Sequence, residues 1–529
     1  MVVDRIRRAG AQRRAVGLGP WVVPLLLAGC SCGHDSGEDM ADTDGETDDD
    51  TIDDDDAVVA CGGITPDATP LRRMTRTQWA NTIHDLLGPN IQTDGFPGSQ
   101  RTDRGYSTDA DANLVSELGA QLIFDAAESV GAQVAADLAG HLPCPADGVD
   151  EACVVGWIDA LAPRAFRRPL TERESTVLHE LYTQAPAGTS VPQRVEMVVA
   201  ALLQSPQFVY ITQGGGEASE HTSPEGEPLL RLTDLELAAR LSYLLWETMP
   251  DDTLRAVAQD GTLHTTEQLR AAAERMLDDP RAEATIARFH AEWLRIETVA
   301  STPRNPDVYP SFDPALAEAM VEQTERFVVR TVLADDGDYT ALMSSRQAQV
   351  DPALADLYGM TTDASGWATI QLPPERAGLL THASVLTAHA NASSSNPVKR
   401  GAFVQHEVMC AVVPPPPPGI PPLGEPGAGQ TPFDVLQRHR DAAECRPCHV
   451  HIDPPGLAFE NFDGIGAWRD SYYGQTIDPA GELPTLGGPP LGGFDDAAGL
   501  ARLIADSELG HRCYARQWFH YATGDVPER

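Results

Sequence analysis

The sequence predicts a mainly α protein: several helical domains in series, closed by a C-terminal domain built around Cys445-Arg446-Pro447-Cys448-His449. Three observations carry that prediction. Helix-start signatures recur along the chain, and apolar residues follow them at helical spacing. Strand signals are few and short, as at Phe208–Thr212. At 529 residues the chain is too long for one compact core, and its 42% apolar content suffices for packed globular domains.

The first segment, 1–29, reads as a lipoprotein signal peptide. Arg5, Arg7, Arg8, Arg13 and Arg14 form a basic stretch, and Trp21 to Leu27 form an apolar core too short to span a membrane. Leu27-Ala28-Gly29-Cys30 then resembles the lipobox of bacterial lipoproteins, which implies lipid attachment at Cys30 and a membrane anchor. Ser31 after it implies the outer membrane, with the body facing the periplasm or the surface. An ordinary signal peptide with a chance cysteine is the competing reading. No other stretch is long and apolar enough to cross a bilayer.

Residues 30–66 form an acidic linker expected to be disordered. Asp35 to Asp56 supply a large share of the formal charge of −40, and such a run cannot bury enough apolar surface to fold. It reads as a tether rather than as a metal or partner site. The rest of the chain is still acidic, which argues against a nucleic-acid partner.

The helical body follows, with N-terminal helical domains over 67–215 and a central helical domain over 225–358. Thr75-Arg76-Thr77-Gln78 fits a capping box, Met74 and Trp79 are placed as a hydrophobic staple, and Gly88-Pro89 stops the helix. Similar starts stand at Thr171, Thr233 and Thr265. Helical spacing also marks Asn113–Gly140, Gln193–Gln204, Ala282–Ile296 and Pro314–Leu333. Composition breaks near Gly214–Pro228 and between Tyr358 and Pro374 separate these domains from a C-terminal one over 374–529. The proline-rich segment 414–422 reads as polyproline II, a stiff spacer in preference to a ligand for a proline-reading module.

Nine cysteines in an exported chain need partners. Cys144 and Cys153 flank a short loop, and Cys410 with Cys513 would close the C-terminal domain, although connectivity is not readable from sequence.

Cys445, Cys448 and His449 carry the chemistry. Cys-x-x-Cys-His is the pattern by which one covalent haem c is attached outside the cytoplasm, so the C-terminal domain reads as cytochrome c-like. Two thiols add to the vinyl groups and the histidine lies under the iron as proximal ligand. A disulfide or redox pair, or a zinc site with His451, are competing readings of the same residues. No methionine follows Met409, so a second axial ligand would be Met409 or an earlier methionine, or a histidine such as His389, His406, His451, His511 or His520, or absent. His389 and His451 are the first candidates. A His/His pair would give a lower potential than His/Met.

The stretch from Cys445 to Arg469, CRPCHVHIDPPGLAFENFDGIGAWR, resembles the haem-motif segment of planctomycete-type cytochrome-like domains, also common in myxobacterial surface proteins. Segments starting at Leu71, Phe166, Leu232, Arg376 and Arg512 are similar to such proteins in the same order. The resemblance implies a multidomain surface protein with PSD-type domains of unknown function and a PSCyt-type cytochrome-like domain. It implies Cys445, Cys448 and His449 as the haem site. Asp453, Pro454, Gly456, Glu460, Asn461, Phe462, Asp463, Gly466 and Arg469 match the segment just after it. Asp453-Pro454-Pro455-Gly456 reads as a turn over the haem edge, Arg469 or Arg400 as a partner for a propionate, and Glu460 and Asp463 as capping or surface carboxylates. Cys410, where such proteins often carry an aliphatic residue, implies a disulfide variant.

These readings converge on an exported haem protein of electron transfer or haem-dependent oxidoreduction, with a redox partner protein or substrate. Whether it is an enzyme stays open. The competing class is a non-enzymatic surface protein, adhesive or polymer-binding, with Cys445 and Cys448 joined as a structural disulfide. A hydrolase finds no support, because neither a Gly-x-Ser-x-Gly elbow nor a His-Glu-x-x-His pair occurs.

Overall fold

The computed structural model describes residues 70–525, apart from 103, 145–148, 212–213, 223–225, 336 and most of 415–443. The expected signal peptide, Cys30, the acidic linker and nearly all of the proline-rich segment lie outside the described residues.

The chain is mainly α, and among the described residues the strands form only short two-stranded ribbons beside the helices. In the N-terminal part run α1 (Arg76–Leu87), α2 (Glu117–Ala136), α3 (Glu151–Phe166), α4 (Glu172–Thr183) and α5 (Val191–Gln204). Thr75 caps α1 in a complete capping box, and Met74 and Trp79 are both fully buried as the staple requires. Thr171 caps α4 in the same way. Of the expected strand at Phe208–Thr212, Tyr210–Ile211 form β2, which pairs with β1 (Arg72–Arg73) and ties the start of this unit to its end, while Thr212 lies outside the described residues. Pro206–Val209 just before it is a helical turn, because Ser205 caps it and Pro206 sits in its first turn.

The described residues form three apolar cores. Trp79, Phe96, Trp157 and Phe208 belong to the first. The second, smaller core lies among α6 (Asp234–Leu245), α7 (Asp252–Gln259) and α8 (Thr266–Leu277), with Trp246 at its centre. Thr233 and Thr265 cap α6 and α8 with complete boxes. The third core is the largest. It is shared by α9 (Arg281–Leu294), α10 (Pro314–Val329), α11 (Ala383–Ala388), α12 (Pro397–Phe403), α13 (Arg446–Leu457), α14 (Ala497–Ala505) and α15 (Glu508–Thr523), or by the segments flanking them. This core does not divide between 358 and 374. There β3 (Gln347–Val350) and β4 (Ala368–Gln371) pair as a ribbon whose Ala348 and Val350 are buried in it.

The last helix returns to the first unit. The Tyr521 carbonyl accepts from Thr108 Oγ1 at 2.8 Å, and that of Ala522 from Arg72 at 2.9 Å. Gly524 ends α15 at a φ of 71°, and a Cβ there would stand 2.3 Å from the Thr108 carbonyl oxygen. Disulfides join Cys144 to Cys153 and Cys410 to Cys513, the second across 103 residues. No helix among the described residues is long and apolar enough to cross a membrane.

Candidate functional site

The site grows from the first turn of α13. Cys445 is the residue before the helix, and Pro447 occupies its first turn, where a missing N–H costs nothing. The amides of Cys448 and His449 both bond the Cys445 carbonyl, at 3.2 and 3.1 Å. Positions i, i+3 and i+4 share one helical face, so the backbone sets Cys445, Cys448 and His449 on the same side of α13. Cys445 and His449 are buried, and Cys448 is half-buried with its Sγ 3.8 Å from the Pro414 carbonyl oxygen. The two sulfurs are not joined in a disulfide.

One turn further along, Asp453 accepts from His449, with Nδ1 and Oδ1 2.8 Å apart. A histidine held through Nδ1 offers Nε2 as its metal-binding nitrogen. Asp453 is fully buried, and its second oxygen has no hydrogen-bond partner among the described residues. No three His, Cys, Asp or Glu side chains among the described residues converge as a metal cluster. Side-by-side presentation on a helix face suits a macrocycle gripped at its rim and centre better than a single tetrahedral ion.

The Asp-Pro-Pro-Gly segment is helical, not a turn. Pro455 has no N–H for the His451 carbonyl, and Gln405 Nε2 supplies the donor instead at 3.0 Å. Helix α13 then crosses α12 by direct backbone approach. A Cβ on Gly401 would lie 1.7 Å from the Ile452 carbonyl oxygen, and one on Gly456 1.9 Å from that of Pro397.

The arginines expected near a propionate do other work. Arg400 is buried and bonds the carbonyls of Leu386, Phe459, Phe462 and Asp463. Arg469 holds Ser395 and Glu460. Glu460 is neither a cap nor a surface residue: it is buried between these two arginines, and burial pushes its carboxyl up against their pull. Asp463 has no helix to cap: its side chain accepts from the amides of Ile465 and Ala467 within a turn.

Of the first candidates for the second axial position, His389 is engaged with other groups and His451 lies on the helix of His449 itself. His389 bonds the Leu294 carbonyl at 3.1 Å and stacks on Phe403, and burial pushes its imidazole down to about 3. His451 is two residues from His449 on the same helix, about 200° around it, so it faces away. His406 bonds the Ala411 carbonyl, His511 that of Ala505, and His520 lies 2.8 Å from Asp109. Met409 is buried where the turn after α12 ends.

Asp453 is the residue whose role sequence reading missed. Its signal was the His-x-x-x-Asp spacing, which matters only if the two prolines stay helical.

Four family models match the chain in order. They are PSD3, protein of unknown function (DUF1587), over 72–136, and PSD5, protein of unknown function (DUF1595), over 153–213. PSD4, protein of unknown function (DUF1592), follows over 232–360, and PSCyt3, protein of unknown function (DUF1588), over 376–472. The chain is therefore a multidomain protein of the planctomycete type, as the resemblance implied. No curated protein and no solved structure matches it.

Proposed function

We propose that this chain is an exported lipoprotein, anchored through Cys30, that carries one covalent haem c at Cys445 and Cys448 with His449 as proximal ligand. It serves electron transfer or haem-dependent oxidoreduction at the cell envelope, facing the periplasm or the surface, with a redox partner protein or a substrate outside the cytoplasm. The observation that carries this reading is the common face of the two thiols and the imidazole in the first turn of α13, with His449 Nδ1 already held by Asp453. The PSCyt3 match spans that turn and hints at a cytochrome-like domain. In attachment each S–H adds across one vinyl C=C, so two thioethers form with no net oxidation. Bound there, haem supplies a one-electron ferric/ferrous couple.

The test is the absorption spectrum and mass of the full chain made in a host with haem-attachment machinery. A Soret band and the added mass of one haem are expected, and Cys448→Ser should weaken or abolish covalent retention. A colourless chain of haem-free mass, with Cys445 joined to Cys448, would replace this reading by a surface scaffold without redox chemistry.

A further inference from the structure

We infer that Asp453 is the positioning residue of this site, fixing His449 through Nδ1 and biasing a bound haem iron toward its ferric state. The inference rests on the haem reading above. Two observations support it independently of each other.

The first is geometric. Asp453 lies one helical turn after His449 only because α13 runs on through Pro454 and Pro455. Gln405 at the His451 carbonyl and the Gly401–Gly456 crossing hold that stretch in place. The acceptor at Nδ1 is thus a carboxylate, at 2.8 Å, and not a backbone carbonyl. A carboxylate draws on the Nδ1 proton more strongly, which makes Nε2 a more basic ligand. More basic axial ligands favour the oxidised metal.

The second is electrostatic. Asp453 has no solvent exposure, and among the described residues its Oδ2 lacks a hydrogen-bond partner and its ion-pair partner is His449 alone. A carboxylate so buried needs a positive charge nearby. A ferric porphyrin carries one net positive charge at its centre and a ferrous one carries none. The same carboxylate therefore stabilises the oxidised site more than the reduced one. An exposed His–Asp pair on a helix surface would have neither effect, because water would screen it.

The decisive variant is Asp453→Asn in the haem-loaded full chain, which keeps the shape and an acceptor oxygen but removes the charge. Covalent haem, read as the pyridine haemochrome, should be unchanged. The ferrous-to-ferric ratio at a fixed potential should rise at least tenfold, a midpoint shift of about 59 mV upward. Full haem content with an unmoved midpoint would leave Asp453 a purely structural residue and overturn the inference. A wild-type chain without haem would be a different failure, visible as the missing Soret band, and would take the parent reading with it. Should Asp453→Asn not fold, the wild type decides alone. Its iron–histidine stretch after photolysis of the CO adduct should lie at the raised frequency of a carboxylate-bonded imidazole, and the frequency of a carbonyl-bonded one would overturn the assignment.

Discussion

The N-terminal unit and the C-terminal unit of this protein are both helical, yet they are held together by different means. In the first, long helices cross with apolar faces inward: α2 and α5 bury Ile123, Val130 and Val134 against Val195, Val199 and Leu202. In the second, α11 and α12 are six and seven residues long, too short to stand by themselves. Buried polar groups bind them to the segments around them. Arg400 gathers four carbonyls, Arg304 bonds those of Thr387 and Asn391, and Arg376 bonds those of Thr381 and Gly466. His382, Thr324 and Ser384 form a further buried chain of hydrogen bonds. The first unit has fewer counterparts among the described residues: Arg167 bonds the carbonyls of Gln207, Phe208 and Tyr210, and buried Arg73 those of Pro97 and Gly98. Apolar packing tolerates small adjustments, whereas a buried donor or acceptor left without its partner does not. The candidate site has been built in the part of the molecule that can least afford to move.

Two glycines break this comparison most sharply. Gly401→Ala would push a methyl group against the Ile452 backbone, so α12 and α13 must separate. We expect a loss of about 3 kcal/mol, the upper part of the usual overpacking range. Gly156, inside α3 of the first unit, has open space where a methyl would stand, with nothing within 4 Å, and Gly156→Ala should raise stability by about 0.5–1 kcal/mol. Urea titrations of the two variants check both signs. Equal tolerance of the two substitutions would mean that the C-terminal crossing is not as tight as its geometry states.

The same contrast explains what was legible in the sequence. Four threonine-led capping boxes announced α1, α4, α6 and α8, and all four formed. Such signals are local: cap, staple and periodicity sit within a few residues of one another. The C-terminal motif was legible for the same reason, since Cys445, Cys448 and His449 fall within one turn. What surrounds it was not. Arg400 reaches carbonyls some sixty residues away, and nothing in a one-dimensional pattern marks a carbonyl that will lack a donor. The Asp-Pro-Pro-Gly segment misled because its composition favours a turn. It stays helical with Gln405, from the turn after α12, bonding the His451 carbonyl. That one apolar core draws on residues from both sides of 358–374 was not legible either, because such contacts are not local.

The histidines sharpen the comparison by pH. His290, His382 and His389 are all buried in the C-terminal core, and burial pushes them down to about 4, 3 and 3. A histidine whose folded value lies below its unfolded 6.5 binds more protons when unfolded. The stability it contributes is complete above pH 6.5 and is lost as pH falls toward the folded value. Glu407 and Glu460 work in the opposite sense, because burial raises them: their contribution is complete below 4.5 and lost as pH rises through the folded value. A difference measurement separates the two. Wild type should lose about 2 kcal/mol more than His389→Asn between pH 7 and pH 5. Denaturant titrations at the two pH values read this directly, and parallel pH profiles would show that His389 is not held neutral by its surroundings.

The smallest effect concerns how the two units begin their helices. Thr75 adopts an extended conformation, with φ of −68° and ψ of 164°, and its side chain accepts from the Gln78 amide at 3.1 Å while Gln78 returns the bond. Thr75→Ala should therefore cost about 1 kcal/mol. Cys445 holds the equivalent place before α13, but at φ of −98° and ψ of −32° and with no side-chain capping bond. A capping side chain needs the extended backbone to reach the free amides, so a hydroxyl at 445 has nothing to cap. Haem-free Cys445→Ser should thus stay within about 0.5 kcal/mol of the haem-free parent. A gain comparable to the Thr75 loss would mean that Cys445 occupies a capping position after all. The helix start at 445 would then be explained by folding alone, and its cysteine would need no chemistry to account for it.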